Sequence, residues 1–321
     1  MRFEAETLDD ALLKLYPELL SRQPNVKASR GCFSEILGVS IEIQQARARL
    51  SRSETRGKVF SSLGEVLWYL SGDNRLDFIE PYIPRYRKDS EDGATVYGGY
   101  GPRLFRQRHH DQIRNVIELL RERPTSRKAV IQIFNAEDVA EKHDEIPCTT
   151  TLQFLIRDEC VQLVVTMRSN DAYLGLPHDV FCFTMFQEIV ARTLGREIGS
   201  YIHFVGSMHL YNCDRADAQS LVNEGYQSRV EMPPMPSGDP WPSIAAVLQA
   251  ELRAGLGEIF DANLAGLEPY WSDLIRMAQV FFCQDDQRIR SLRDAMSFQR
   301  YRPYITSRIG KRAPLRGSVP G

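Results

Sequence analysis

The chain has 321 residues, 43% hydrophobic and 10% aromatic, enough to bury a full core as one large domain or as one domain with an appendage. Its 40 basic residues nearly cancel 42 acidic ones, so no global field exists to hold a nucleic acid, although a single nucleotide is not excluded. Six cysteines (Cys32, Cys148, Cys160, Cys182, Cys213, Cys283) lack the spacing of a zinc site or a disulfide framework, and the opening residues are acidic where a secretory signal is apolar. The expectation is therefore a cytoplasmic protein with reduced thiols, no metal and no membrane segment.

Leucines at helical spacing predict a helix over 8–21, kinked or ended by Pro17. A loop follows to Gly31, and the alternation Ile36, Val39, Ile41, Ile43 predicts a strand over 35–43. Val59, Leu63, Val66, Leu67 and Leu70 share one face of a helix that ends at Gly72 and carries Glu65 and Trp68. Residues 78–104 have no period and read as a long loop, a length that is usually functional. A helix with Asp111 near its N-terminus, where a carboxylate suits the dipole, should stop before Pro124. Apolar runs at 129–134, 150–156 and 161–167 predict three strands of a central sheet.

A largely apolar stretch at 180–194 reads as a buried helix, 201–205 as a returning strand, and 214–224 as a short polar helix. The proline-rich stretch 231–242 reads as a linker. Helices at 244–256 and 267–282 and a loose basic tail from Arg302 should follow. The expected division is a catalytic domain at 1–230, the linker, and a helical extension over 243–321 packed on that domain.

Several residues could carry chemistry. Cys148, between Pro147 and a Thr-rich strand, would become a nucleophile if a cation such as Arg168 or Arg127 lowered its pKa; a lone cysteine is more often a small buried hydrophobe. Arg30, Arg127, Lys128 and Arg168 stand at strand and loop ends, where guanidinium forks suit a phosphate and where solvated surface charge is the plainer reading. Glu65 is ordinarily a helix-surface carboxylate. His209 and Tyr211 alternate on one side of a strand, and Tyr97 among its glycines is a turn on its own. Asp179, opening an apolar helix, would ordinarily be an N-cap. A carboxyl there also matches the edge of cytosine when a proton lies between it and N3, whereas a side-chain amide meets uracil with both its groups.

The ordered motifs Gly-Glu-Val-Leu-Trp-Tyr-Leu-Ser-Gly (64–72), Val-Tyr-Gly (96–98), Asp111-Gln112, Pro-Thr-Ser-Arg-Lys (124–128), Pro-Cys (147–148), Arg-Ser-Asn-Asp (168–171), Leu-Gly-Leu-Pro-His-Asp (174–179) and Gly-Ser-Met-His-Leu-Tyr (206–211) resemble thymidylate synthase, from about Arg30 to Asp214. The resemblance implies an α+β fold with a bent central mixed sheet, flanking helices and, here, a C-terminal helical appendage. It implies a homodimer in which Arg127, with Lys128, reaches the partner's site. By position, Cys148 is the nucleophile on pyrimidine C6, Arg30, Arg168 and Ser169 hold the 5′-phosphate, and His209 and Tyr211 meet the sugar. Glu65 and Tyr97 manage protons, and Asp171, Leu174 and Gly175 meet the cosubstrate 5,10-methylenetetrahydrofolate.

The departures from the family pattern carry the finer reading. Synthases have asparagine where this chain has Asp179, and the family's cytidylate hydroxymethylases have aspartate. His178 replaces a phenylalanine, Thr149 a histidine, and the tryptophans beside the folate give way to Tyr-Ile-Pro-Arg-Tyr (82–86). The chain is thus most similar to the cytidylate (CMP or dCMP) 5-hydroxymethylase branch, and its length and appendage resemble the CMP hydroxymethylases of mildiomycin-type nucleoside-antibiotic biosynthesis. This resemblance implies hydroxymethylation of CMP in preference to dCMP. The alternatives are a divergent synthase methylating dUMP and a non-catalytic nucleotide-sensing dimer.

Overall fold

The computed structural model describes residues 1–28, 30–53, 58–259 and 266–316. A short strand β1 (Arg2–Ala5) leads into helix α1 (Leu8–Leu20), capped by the Thr7 hydroxyl on the Asp10 N–H. Pro17 does not interrupt α1. It lies in the last turn on the exposed side, so the carbonyl it deprives of a partner can turn to water. β2 (Val26–Ala28) and β3 (Gly31–Ile43) form a hairpin, and α2 (Val59–Leu70) closes at Ser71 before Gly72, whose φ of +68° suits glycine.

The long segment read as a loop holds two short helices, α3 (Leu76–Ile79) and α4 (Tyr100–Phe105), and a 3₁₀ turn over Pro84–Asp89. Turns this short have no sequence period to detect. α5 (Gln112–Glu122) is capped by Asp111, which accepts from the Arg114 N–H at 2.9 Å. Then come β4 (Val130–Gln132), α6 (Glu137–Ala140), β5 (Thr149–Arg157), β6 (Cys160–Asp171), the buried helix α7 (Gly175–Thr193) and the long strand β7 (Glu197–Tyr211). Last are α8 (Arg215–Glu224), α9 (Trp241–Gly255), α10 (Pro269–Phe282), α11 (Asp286–Asp294) and α12 (Arg302–Thr306).

The sheet runs β1-β3-β7-β6-β5-β4, with β2 beside β3. It is mixed: β1 with β3 and β6 with β7 are parallel, and the other pairs are antiparallel. Register shifts at Thr149/Thr151 and Val161/Leu163 bend it. Helices α1, α5 and α7 cover one face, while the other leaves Leu37 70% and Phe204 44% exposed. α7 is buried all round because it lies between the sheet and α2.

Residues 231–240 do not stand off from the body. Met232 and Met235 are buried, and the Met235 N–H donates to Glu188, itself paired with Arg49 in the core. The C-terminal helices pack against α2: Phe281 of α10 stacks on Tyr82 at 4.1 Å and lies 5.9 Å from Phe60. The basic tail is not loose as far as Arg316, whose guanidinium is buried against Glu251, the same carboxylate that accepts from the Tyr82 hydroxyl at 3.1 Å. A charged residue in a tail gives no sequence sign of such an inward pairing. Residues 317–321 lie outside the described residues.

Candidate active site

A cleft of about 380 Å³ opens where the C-terminal ends of β6 and the start of β5 meet α2, α4 and the first turns of α7. Its lining includes Cys148, Glu65, Asp179, Ser169, Asn170 and Asp171, with Leu174 and Gly175 at the mouth of α7. Parallel β6 and β7 bring their ends out together, pairing Asp171 with His209 and Ser169 with Ser207. Sequence positions far apart thus converge on one sheet end.

Cys148 sits where β5 begins, and its backbone is held on both sides: its carbonyl accepts from the Arg168 N–H at 2.8 Å, and the following N–H, of Thr149, donates to the Tyr100 hydroxyl at 3.2 Å. Arg168 also turns its guanidinium onto the carbonyls of Pro147 (2.9 Å) and Ile146 (3.0 Å). Burial raises the Cys148 thiol to about 11; Arg168 and Arg85 oppose that rise, while Glu145 and Asp179 add to it. The thiol of the free protein is therefore protonated at neutral pH. Alkylation of Cys148 by iodoacetamide, followed by peptide mass spectrometry, should accelerate about tenfold per pH unit to near pH 11; a plateau near pH 8.5 would show the thiol to be unshifted.

Glu65 is no surface carboxylate but is 6% exposed. Its Oε1 accepts from Tyr86 at 2.6 Å and from Tyr69, one helical turn on, at 3.0 Å. Asp179 is not an N-cap, because α7 begins at Gly175, one turn earlier than its apolar run. Its Oδ2 accepts from the Asn170 side-chain amide at 2.7 Å, and burial, aided by the Glu65 charge, raises its pKa well above the usual carboxylate range. Asp171 holds the turn that precedes α7, accepting from the N–H groups of Tyr173 and Leu174 through Oδ1 and pairing with Arg30 at 3.0 Å through Oδ2. Arg30 lies over the Tyr211 ring at 4.5 Å, and the Ser169 hydroxyl is 3.4 Å from His209.

Seven of the expected residues do not line this cleft: Arg30, Arg168, His209 and Tyr211 stand beside it, in contact with lining residues or with one another, and three lie elsewhere. Tyr97 stacks on His143 at 3.5 Å and lines a neighbouring pocket with Arg103 and Asp138. Arg127 and Lys128 are exposed in the turn before β4. Conversely, Arg85, Tyr69, Tyr86, Tyr100 and Asn170 line the cleft without having been singled out. The i+4 spacing of Tyr69 from Glu65 is a signal for one of them; Arg85 and Tyr86 sit in an aperiodic turn whose only signal is its place in the stretch 82–86 that departs from the family pattern.

A half-buried thiol set beside the buried Glu65 and half-buried Asp179 carboxyls, with Arg85 on the lining, is an arrangement that suits nucleophilic chemistry on a small anion. The chain belongs to the thymidylate synthase family, whose model matches residues 36–235. It is 32% identical over 178 residues to a deoxyuridylate hydroxymethyltransferase of Pseudomonas phage M6, covering 54% of this chain and 50% of that protein. It is 31% identical over 216 residues to a deoxyuridylate hydroxymethyltransferase of Bacillus phage SP01, covering 62% and 56%. The chain spans about half the length of the curated relatives it matches. Among the described residues, no helix is long and apolar enough to cross a membrane, and no cluster of side chains is arranged to hold a metal.

Proposed function

We propose that this protein is a folate-dependent pyrimidine-nucleotide C5-hydroxymethylase acting on a cytidine monophosphate, with CMP favoured over dCMP. The observation that carries this reading is Asp179, a half-buried carboxyl facing the same cleft as the Cys148 thiol. The aromatic and apolar wall of Trp68, Tyr86, Ile83, Pro84 and Leu174, beside the Asp171 carboxylate, has the flat faces and acceptor that a pterin ring takes. 5,10-Methylenetetrahydrofolate supplies a one-carbon unit at the oxidation level of formaldehyde. Cys148 adds through sulfur to C6, making C5 nucleophilic; C5 bonds to the one-carbon unit and gives up its proton. Tetrahydrofolate departs, water adds to the exocyclic methylene left on the base, and sulfur leaves C6. The sum is redox-neutral, so no dihydrofolate forms.

Glu65, with the Tyr69 and Tyr86 hydroxyls aimed at it, is assigned the proton movements. Arg30, Arg168 and Ser169 are assigned the phosphate, and His209 and Tyr211 the sugar. A homodimer across the open sheet face, where Leu37 and Phe204 are exposed, would give Arg127 and Lys128 a partner's cleft to reach; this is part of the proposal. A second reading, deoxyuridylate as substrate, is favoured by the two phage relatives, both deoxyuridylate hydroxymethyltransferases, and a neutral carboxyl can also be oriented to meet uracil.

Release of tritium from C5-labelled CMP, dCMP and dUMP in the presence of methylenetetrahydrofolate, with the product mass determined, separates these readings. Release from CMP with a hydroxymethyl mass and no dihydrofolate absorbance is the expected result. Release confined to dUMP would overturn the cytosine assignment, and a methyl product would make the protein a synthase.

A further inference from the structure

Behind Asp179 lies a chain of buried polar groups whose donors and acceptors are fixed link by link. Tyr201 and His203, both on β7 and fully buried, are joined at 2.7 Å between the phenol and Nδ1. His203 Nε2 lies 3.0 Å from Oδ1 of Asn170, and the Asn170 Nδ2 donates to Oδ2 of Asp179 at 2.7 Å. Burial lowers the His203 pKa to about 3, so its ring is neutral and carries one N–H. The amide oxygen of Asn170 can only accept, which puts that N–H on Nε2 and leaves Nδ1 to accept from the Tyr201 hydroxyl.

Gly175 makes room for the last link. A Cβ at that position would stand 2.9 Å from Asn170 Nδ2 and 3.5 Å from Asp179 Oδ2. The other oxygen of Asp179, Oδ1, has no hydrogen-bond partner among the described residues. Glu65, Asp171, Cys148, Tyr100, Cys182 and Tyr201 are the titratable groups that share the field around this carboxyl.

We propose that Asn170 is a positioning residue for base selection: held by His203 and Tyr201, its amide N–H makes Oδ2 of Asp179 an acceptor and assigns the carboxyl proton to Oδ1. The inference rests on the pyrimidine reading above. With C6 fixed against Cys148, each carboxyl oxygen meets one position of the base edge. Which oxygen carries the proton then decides between cytosine, with an acceptor at N3 and a donor at N4, and uracil, with the reverse pair. A carboxyl free to exchange its proton between oxygens would accept both bases. Asn170 and the two residues behind it remove that freedom.

The test compares kcat and KM, and dissociation constants, for CMP with UMP and for dCMP with dUMP in the parent, Asn170→Ala and Tyr201→Phe. Tyr201→Phe preserves the packing and removes only the hydroxyl. Discrimination between the two bases should fall about tenfold or more in both variants, the effect of one buried hydrogen bond, with thermal melting close to the parent for Tyr201→Phe. In an Asp179→Ala background, Asn170→Ala should leave the ratio unchanged, because Asn170 acts only through Asp179. An unchanged ratio in Tyr201→Phe and Asn170→Ala, or a fall that persists without the Asp179 carboxyl, would overturn the proposal. Absence of turnover in the parent would strike the function reading alone, since the dissociation constants still read the selection.

Discussion

Cys148→Ala is expected to lower tritium release from C5-labelled nucleotide by on the order of a thousandfold or more, while nucleotide binding measured by calorimetry stays within a few-fold of the parent. In the proposed reaction, removing Cys148 takes away the step that makes C5 reactive, and the remaining groups bind and orient but have nothing to add to C6. The site's geometry offers no substitute. Cys182, the nearest other thiol of α7, is buried with its sulfur against the Ser62 carbonyl, and its pKa is driven well up by burial and by the charge of Glu65. Both backbone groups that fix Cys148 involve atoms other than its side chain, so the alanine variant should keep the cleft's shape. Turnover near the parent rate would remove Cys148 as nucleophile, and loss of binding along with turnover would mean that the thiol supports the cleft.

Asp179→Asn combined with Asn170→Ala should have the next largest effect, moving the preference between cytosine and uracil nucleotides by about a hundredfold toward uracil, as for two buried hydrogen bonds exchanged at once. To meet uracil the new amide must give its NH₂ to O4 and its oxygen to the N3–H, the orientation that turns the NH₂ against the Asn170 N–H, now 2.7 Å from the carboxyl. Asp179→Asn with Asn170 in place should therefore shift the preference less than the double variant. The ratio of kcat/KM for dCMP and dUMP, with the corresponding ribonucleotides, gives the measurement. Unchanged cytosine selectivity would sink the role assigned to Asp179, and a parent that already prefers dUMP would favour the reading suggested by the phage relatives' names.

The parts of the fold that announce themselves in sequence are those with a long period and a firm stop. The helix over Val59–Leu70 and its Gly72, the Asp111 cap and the apolar helix before Leu194 are of that kind. Pro17 misleads because a proline's effect depends on which side of the helix its freed carbonyl faces. The start of α7 is hidden in sequence because Gly175 and Pro177 look like loop residues, yet they form its first turn, directly after a turn that Asp171 holds by its side chain. At the cleft, Cys148, Glu65, Asp179, Ser169 and Asp171 could be named from motifs. Asn170 carries no sign of its role inside its own motif, because a polar residue's worth here comes from His203, on another strand and 33 residues further along the chain.

The support of the cleft wall extends beyond the segment that the family model matches. That match ends at residue 235, but Tyr82, which faces the cleft, is stacked on Phe281 and bonded to Glu251, and Glu251 is in turn held by Arg316. The reaction centre and its scaffold therefore have different boundaries along the chain. Changes in the last eighty or so residues can reach the cleft-facing turn through one tyrosine, so a comparison restricted to the shared segment overlooks part of what shapes the cleft. Swapping the C-terminal helices between relatives would amount to re-cutting the pocket from behind, with every motif residue left in place.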